Sequence, residues 1–394
     1  MLAMNQNSGG ATWASGWGAL ETRDPREAAR IIAGEAALPF VPQLINRGVG
    51  SSLSGSTLSL LSSSCVQGPR SWQMSGPTVA SRRRNDEIHR DIDVYEEAWE
   101  GGSALSSQEM KVQVMGPWSL AVATELSDGH RIVSDRSAVR GFHDEWSGGV
   151  AEYLSEIHRR FGKRIVLHIE EPYVDTLVRG RIAGTTDWDI IPPVHNDVLS
   201  TEWDRTIGDV FDELGGGITD DASQGVIAGV VMSCGASLPD DLQIPAWALP
   251  LIGLGELERA AANGSSTHHM LDRIGELIDA DGRPMVIGVA GNKGVADGDP
   301  GTAPGVTAVG VGADAGDRDQ SAVTTAYASE DPARDRAVRI ARVWKAMGIN
   351  PTLMGERVSI VEGHGRRGWE QSTAESLRLA DDVRDMLRRD SGDL

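Results

Sequence analysis

The sequence predicts an α/β protein built as a (β/α)8 barrel, also called a TIM barrel. Short apolar runs alternate with longer stretches of helical pattern, and most of these runs are apolar on both faces. Runs of that kind are typical of parallel strands that helices cover. They lie near residues 11–15, 65–73, 111–118, 164–172, 226–234, 248–255, 284–290 and 357–363. Eight predicted strands favour a closed barrel over the alternative, a doubly wound open sheet.

Helices and loops fill the intervals between these strands. Helical periodicity is clearest over residues 135–161, 268–280, 331–347 and 370–389. Two segments are predicted to be insertions in a single domain that spans residues 11–389: residues 183–200 contain a Pro-Pro pair, and residues 291–322 are rich in Gly, Ala and Asp. Residues 1–10 and 390–394 are expected to be tails.

Composition excludes several classes of function. The net charge of −20 argues against a general role in binding nucleic acid or an acidic membrane surface. No apolar run approaches the roughly 18 residues of a membrane helix, and residues 1–10 lack the basic start and apolar core of a signal peptide, so we expect a cytoplasmic protein. The chain has 2 cysteines. A zinc site made of four cysteines is thus impossible, and any metal needs mixed ligands.

Polar residues follow several of the predicted strands. In a parallel barrel the carboxyl ends of all strands meet at one face, where active sites lie. An acidic pair directly after an apolar strand is costly unless it faces a site or a partner. The residues in question are Glu170 and Glu171, Cys234, Glu256, and Glu362 with His364.

Six segments carry a resemblance to a known family. They read ATWASGWG, DPREAARIIAGE, KVQVMGPWSLA, VLHIEEP, VVMSC and RVWKAMGINPTLMGERVSIVEG, and their order spans nearly the whole chain. With these segments the chain resembles the catalytic domain of cobalamin-independent methionine synthase, in its short single-barrel form. The barrel superfamily also contains uroporphyrinogen decarboxylase. The resemblance implies a methyltransferase that uses zinc to methylate the thiol of homocysteine, giving methionine.

The resemblance also implies a set of metal ligands. The family's pattern is a His-x-Cys pair, a later glutamate and a second cysteine near the last strand. Here Met232 takes the histidine position, Cys234 follows, and Glu256 comes 22 residues after Cys234. His364 falls about where the second cysteine is expected, so the implied zinc ligands are Cys234, Glu256 and His364. A thiolate, a carboxylate and an imidazole form a legitimate three-ligand site with one open position. Alternatively the site has decayed, with Cys234 a small buried apolar residue and His364 an exposed loop residue.

A substrate site is implied in the same way. Ser15 and Glu170, with Glu171 beside it, match the positions that hold the amino-acid end of homocysteine. A carboxylate there can pair with a substrate ammonium, although a structural carboxylate is the alternative. Trp118, or Trp17, would stack on a flat ring such as a pterin, unless it simply fills the core. His168, inside an apolar strand, is predicted to be a core histidine whose hydrogen bonds are satisfied.

Three functions remain open at this stage. The first is methyl transfer to a homocysteine-like thiol, from a methyl-folate or a methylated corrinoid protein. The second is a barrel of the same ancestry that binds a small thiol or amino acid without turnover, which the Met232 replacement and the missing second cysteine favour. The third is a decarboxylase like uroporphyrinogen decarboxylase, which ranks last because the chain lacks an Arg-rich N-terminal motif. Stoichiometric metal would separate the first from the others.

Overall fold

Seven parallel strands form the main sheet of the protein. The computed structural model describes residues 12–20, 22–100, 107–185, 190–215, 225–234, 243–262, 268–279, 282–289, 331–362 and 369–394. The strands are β1 (Ala14–Gly16), β2 (Glu109–Met115), β3 (Arg164–Glu170), β4 (Ile227–Ser233), β5 (Ala248–Gly253), β6 (Met285–Gly288) and β7 (Val358–Glu362). Their order is β1-β7-β6-β5-β4-β3-β2. The sheet curls, and every neighbouring pair in it is parallel.

Helices surround this sheet. They are α1 (Pro25–Glu35), α2 (Leu53–Leu58), α3 (Val79–Glu100), α4 (Pro117–Val122), α5 (Arg136–Phe161), α6 (Val174–Val178), α7 (Asn196–Glu213), α8 (Leu254–Ala262), α9 (His268–Asp279), α10 (Pro332–Ala346), α11 (Met354–Arg357) and α12 (Trp369–Asp390). Short 3-10 turns cover Ile45–Arg47, Val49–Ser51, Ile132–Ser134 and Pro351–Leu353. Within the described residues, none of these helices is long and apolar enough to cross a membrane.

Local signals explain where the longest helices begin and end. Asp135 precedes α5 and accepts hydrogen bonds from the backbone N–H groups of Ser137 and Ala138, which are otherwise unpaired at a helix start. Gly162 ends α5 in the left-handed region, with φ of 62°, a conformation that glycine adopts at little cost. The predicted helix over residues 135–161 is thus confirmed.

The two faces of the sheet pack differently. One apolar cluster consists only of strand and strand-flanking residues, among them Val166, Val231, Leu251, Val286 and Val361, so it lies on the concave face. Two larger clusters combine the alternate strand residues with the helices. Because side chains alternate along a strand, register pairs share a face. Lys111 and Gln113 are paired with Val166 and His168 and therefore face the concave side too.

Residues 38–41 connect the two edges of the sheet. The N–H of Leu38 donates to the carbonyl of Ala14 in β1 at 2.8 Å. On the other side, Lys111 in β2 donates its N–H to Pro39 at 2.8 Å and accepts one from Val41 at 3.0 Å. The sheet's first and last strands in spatial order, β1 and β2, are therefore both hydrogen-bonded to this short segment.

The predicted barrel strand at 65–73 was wrong. Ser64–Gln67 and Trp72–Ser75 instead pair antiparallel, and the second of them pairs with Thr124–Glu125 in a separate small sheet. Gly68 and Pro69 interrupt the run, and such residues form turns between strands. The segment that lies between β1 and β2 was missed because it is only four residues long and contains a proline.

Other boundaries differ by smaller amounts. The apolar run at 111–118 leaves the strand at Met115, and Pro117 begins α4. In the predicted insertion 183–200, Ile182–Ala183 pairs with Ile190–Ile191 and residues 196–200 belong to α7. Two further short strands, Ala19–Leu20 and Gln43–Leu44, pair in parallel. Leu394 packs against an apolar cluster, whereas the predicted tail 1–10 and insertion 291–322 lie outside the described residues.

Candidate functional site

The carboxyl ends of β3, β4 and β5 bring four of the predicted site residues to one edge of the sheet. Glu170 is the last residue of β3 and is paired with Ser233, the last residue of β4. Cys234 follows directly, and Glu256 lies in the first turn of α8, just after β5. Glu170, Glu171, Cys234 and Glu256 are all buried. Such a set of acidic groups, removed from water, is costly unless each finds a partner.

Glu171 has its partners in the protein. Its carboxylate accepts the backbone N–H groups of Trp118 at 3.2 Å and Ser119 at 2.7 Å, and the indole N–H of Trp203 at 2.9 Å. Burial raises the pKa of Glu171, and these hydrogen bonds oppose the rise. The fit is close, because a Cβ on Gly116 would lie 2.3 Å from the Glu171 carboxyl carbon. Glu171 therefore ties β3 to α4 and α7, as expected of a structural carboxylate.

Glu170 points the other way, to the concave side of the sheet. Its Oε1 atom accepts a hydrogen bond from the Gln113 side chain at 2.5 Å and lies 3.8 Å from Nε2 of His168. Burial, with the Lys111 charge as a lesser cause, lowers the pKa of His168 well below its ordinary value, so His168 is neutral and this contact is not an ion pair. Lys111 is close enough for the Glu170 charge to act on it.

Ser15 and Trp118 have structural contacts. The Ser15 hydroxyl donates to the carbonyl of Leu38 at 2.9 Å, which fastens β1 to the segment 38–41. The Trp118 side chain is buried in the large apolar cluster, with its ring 4.9 Å from that of His143 in an edge-on arrangement. Trp17, in contrast, is half-buried.

Cys234 and Glu256 lie within electrostatic range of each other. Burial, and then the charges of Glu171 and Glu256, raise the pKa of the Cys234 thiol far above its ordinary value. A thiol and a carboxylate are ligands that Zn²⁺ accepts, so these two residues fit a zinc site as far as the described chain extends. His364 lies outside the described residues. Met232 is buried in the apolar cluster that contains helix residues.

A complete metal site is not present within the described residues. No group of three or more His, Cys, Asp or Glu side chains in that part of the chain is arranged to hold a metal ion. Glu171 lies near Cys234, but its carboxylate already accepts three hydrogen bonds. A third ligand would therefore have to come from elsewhere, and the expected one is His364.

Sequence reasoning missed the polar residues on the concave face. Lys111 and Gln113 lie within the apolar run 111–118, yet both alternate inward, opposite Val166 and His168. The signal was present as K-x-Q in one strand and H-x-E in the next, where a period of two places like residues on one face. His168 is buried as predicted, but neither ring nitrogen has a hydrogen-bond partner among the described residues.

The chain was compared with protein-family models and with curated protein sequences. No protein-family model matches the chain, and no curated protein sequence matches it either.

Proposed function

We propose that the chain is a methionine synthase-like (β/α)8 barrel that transfers a methyl group to the thiol of a small amino acid, homocysteine first. The observation that carries this proposal is the proximity of Cys234 and Glu256, which follow neighbouring strands and are both buried. Closure of the barrel is supported by residues 38–41, which bond to both β1 and β2. They would serve as the remaining strand.

In this proposal Cys234, Glu256 and His364 hold zinc. Bound Zn²⁺ lowers the pKa of a coordinated thiol, so that the thiol reacts as a thiolate at neutral pH. The chain's own carboxylates set the charge of the site. Without a cation, burial and then the charges of Glu171 and Glu256 raise the pKa of the Cys234 thiol, because an anion there would lose water and lie near other anions.

Glu170 would hold the amino group of the substrate. Its carboxylate lies on the concave side at the carboxyl end of β3, where a substrate ammonium could approach it. An ammonium–carboxylate contact is strengthened by burial, since the local dielectric is lower than in water. The methyl donor would be a methyl-folate or a methylated corrinoid protein.

The second candidate is a barrel that binds a small thiol or amino acid without methyl transfer. It is favoured by Met232, which replaces a strong imidazole ligand and packs in an apolar cluster. A thioether is a poor zinc ligand beside imidazole and thiolate. Both candidates use Glu170, and only the first needs zinc.

Zinc content tests the choice. We would measure zinc by elemental analysis in the full-length protein after zinc is supplied, and in the variants Cys234→Ser, Glu256→Gln and His364→Ala, with Cys65→Ser as the matched cysteine control. We expect about one zinc per chain in the parent and control, and a loss in the other three. Parent protein without zinc would contradict the methyltransferase and leave the second candidate. A zinc-loaded parent would then be assayed for methionine formation with each donor.

A further inference from the structure

A group of polar side chains lies on the concave face below Glu170. Lys111 and His168 are buried, and Gln113 is half-buried. These residues are on β2 and β3, with Gln113 and His168 opposite each other in register. Polar groups removed from water in this way normally have hydrogen-bond partners, so their partners are informative.

Several of these polar atoms lack a protein partner. Three of these atoms make no hydrogen bond within the described residues. They are the two ring nitrogens of His168 and the Oε1 atom of Gln113. The Lys111 ammonium donates to the carbonyl of Trp17 at 2.8 Å, but an ammonium has three hydrogens to donate. The cluster therefore offers unused donors on Lys111 and His168 together with unused acceptors on His168 and Gln113.

Trp17 contacts this cluster and is itself partly exposed. Its ring is edge-on to that of His168, with centroids 5.7 Å apart. Across the sheet, a Cβ on Gly288 in β6 would lie 3.4 Å from the Trp17 ring. The indole therefore reaches from β1 towards both β3 and β6. Since Trp17 is only half-buried, one part of it faces away from the cluster.

We propose that Lys111, His168 and Gln113 bind the head of a small acid that carries a hydrogen-bond donor on the carbon next to its carboxylate, with Trp17 as the cover. The carboxylate would accept hydrogen bonds from Lys111 and from the N–H of His168. The neighbouring amino or hydroxyl group would donate to Oε1 of Gln113. A 2-amino or 2-hydroxy acid offers this combination. Trp17 would turn outward to admit it.

This assignment rests on the proposed function for its preference for an amino acid, and it does not require zinc. It goes further by naming Lys111, His168 and Gln113, in addition to Glu170, as residues that hold the ligand. A ligand bound there would lie on the concave face, on the same side of the sheet as Glu170.

Calorimetric titration with three acids that share the same side chain tests the assignment. The probes are methionine, its 2-hydroxy analogue, and 4-methylthiobutanoate, which has the carboxylate but no donor beside it. We expect methionine to bind most tightly, because only its ammonium can pair with Glu170, and the 2-hydroxy analogue to bind more weakly. The third acid should bind at least about tenfold more weakly than the 2-hydroxy analogue, the value of one lost hydrogen bond of about 1.4 kcal/mol. Equal binding of all three would overturn the role of Gln113. Binding of none, to the parent or to Trp17→Ala, would overturn the site and mean that water alone satisfies these atoms.

Variants identify the residues. Lys111→Met should weaken methionine binding by about tenfold or more, whereas Lys163→Met, just before β3, should leave it unchanged.

Should Lys111→Met fail to fold, the pH dependence of methionine binding to the parent protein tests the same role. Burial lowers the pKa of Lys111 to about 7, against the opposing effect of Glu170, and the other facing group, His168, stays neutral. Affinity should therefore fall from about pH 6 to about pH 8.5, and a flat profile would overturn the role of Lys111.

Repeating the titration with Cys234→Ser separates this assignment from the proposed methyl transfer. Methionine binding that persists in Cys234→Ser supports the assignment even where zinc and methyl transfer are absent. Zinc and methyl transfer that are both unaffected in Lys111→Met would overturn the assignment and leave the proposed function intact.

Discussion

Glu170 and Glu171 are neighbours in the chain, but their surroundings differ completely. Glu171 lies on the side of the sheet that faces α4 and α7, where three N–H groups of the protein surround its carboxylate. Glu170 lies on the concave side beside Lys111, Gln113 and His168, where both His168 nitrogens and Oε1 of Gln113 have no hydrogen-bond partner within the described residues. Both glutamates are buried, so burial alone does not distinguish their roles. The groups around each carboxylate do.

The largest expected effect is the loss of stability when Glu171, the structural carboxylate, is removed. Glu171→Ala leaves three N–H groups without an acceptor, and we expect a loss of about 3 kcal/mol in the free energy of unfolding. Urea denaturation measures it, with the exposed Glu152→Ala in α5 as the control. A loss no larger than that of the control would mean that Glu171 is not a structural carboxylate.

The next largest effect is expected on methionine affinity when Glu170 is changed. Glu170→Gln removes the charge that would pair with a substrate ammonium, so methionine affinity should fall about 30-fold, equivalent to about 2 kcal/mol. Its free energy of unfolding should change by less than about 1 kcal/mol. Calorimetry and urea denaturation of the same preparation give both values. Unchanged affinity with a large loss of stability would reverse the assignment of the two glutamates.

A third prediction uses the lysine beside Glu170. The pKa of Lys111 is lowered by burial from 10.5 to about 7, so between these values the unfolded chain binds more protons than the folded one. The stability contributed by this group therefore rises with pH across that range, by up to about 1.4 kcal/mol per pH unit. Relative to Lys111→Met, the parent protein should gain about 2 kcal/mol of unfolding free energy between about pH 7.5 and about pH 9. A constant difference would show that Lys111 titrates normally in the fold.

The smallest effect is expected at Ser15. Its hydroxyl donates to the Leu38 carbonyl, so Ser15→Ala should cost about 1 kcal/mol of unfolding free energy and leave methionine affinity unchanged. Thermal unfolding and calorimetry would measure the two quantities. A clear fall in affinity would instead place Ser15 at the ligand, as the family resemblance implies.

The sequence predicted the sheet better than the site, for a physical reason. Apolar runs such as 164–172 and 226–234 report burial directly, and each lies within a residue or two of its strand, Arg164–Glu170 and Ile227–Ser233. The segment 38–41 carries no such signal, because its role depends on hydrogen bonds to Ala14 and Lys111 rather than on its own composition.

The site depends on contacts that are distant in sequence. Glu170 and Glu171 were recognisable as a polar pair at a strand end, but the donors that occupy Glu171 come from Trp118, Ser119 and Trp203, and nothing in the local sequence predicts that they meet there. His168 was rightly placed in the core. That its nitrogens lack partners among the described residues could be seen only once its neighbours were known.

The pairing of β1 with β7 has a consequence for synthesis of the chain. Ala14 is opposite Ile360 in the sheet, so this register cannot form until nearly all of the described chain has been made. Until then β1 and β6 present unpaired backbone edges, which favour association with other chains. A chain that lacks β7 would leave these two edges exposed, and β7 therefore protects β1 and β6, the two strands with which it pairs.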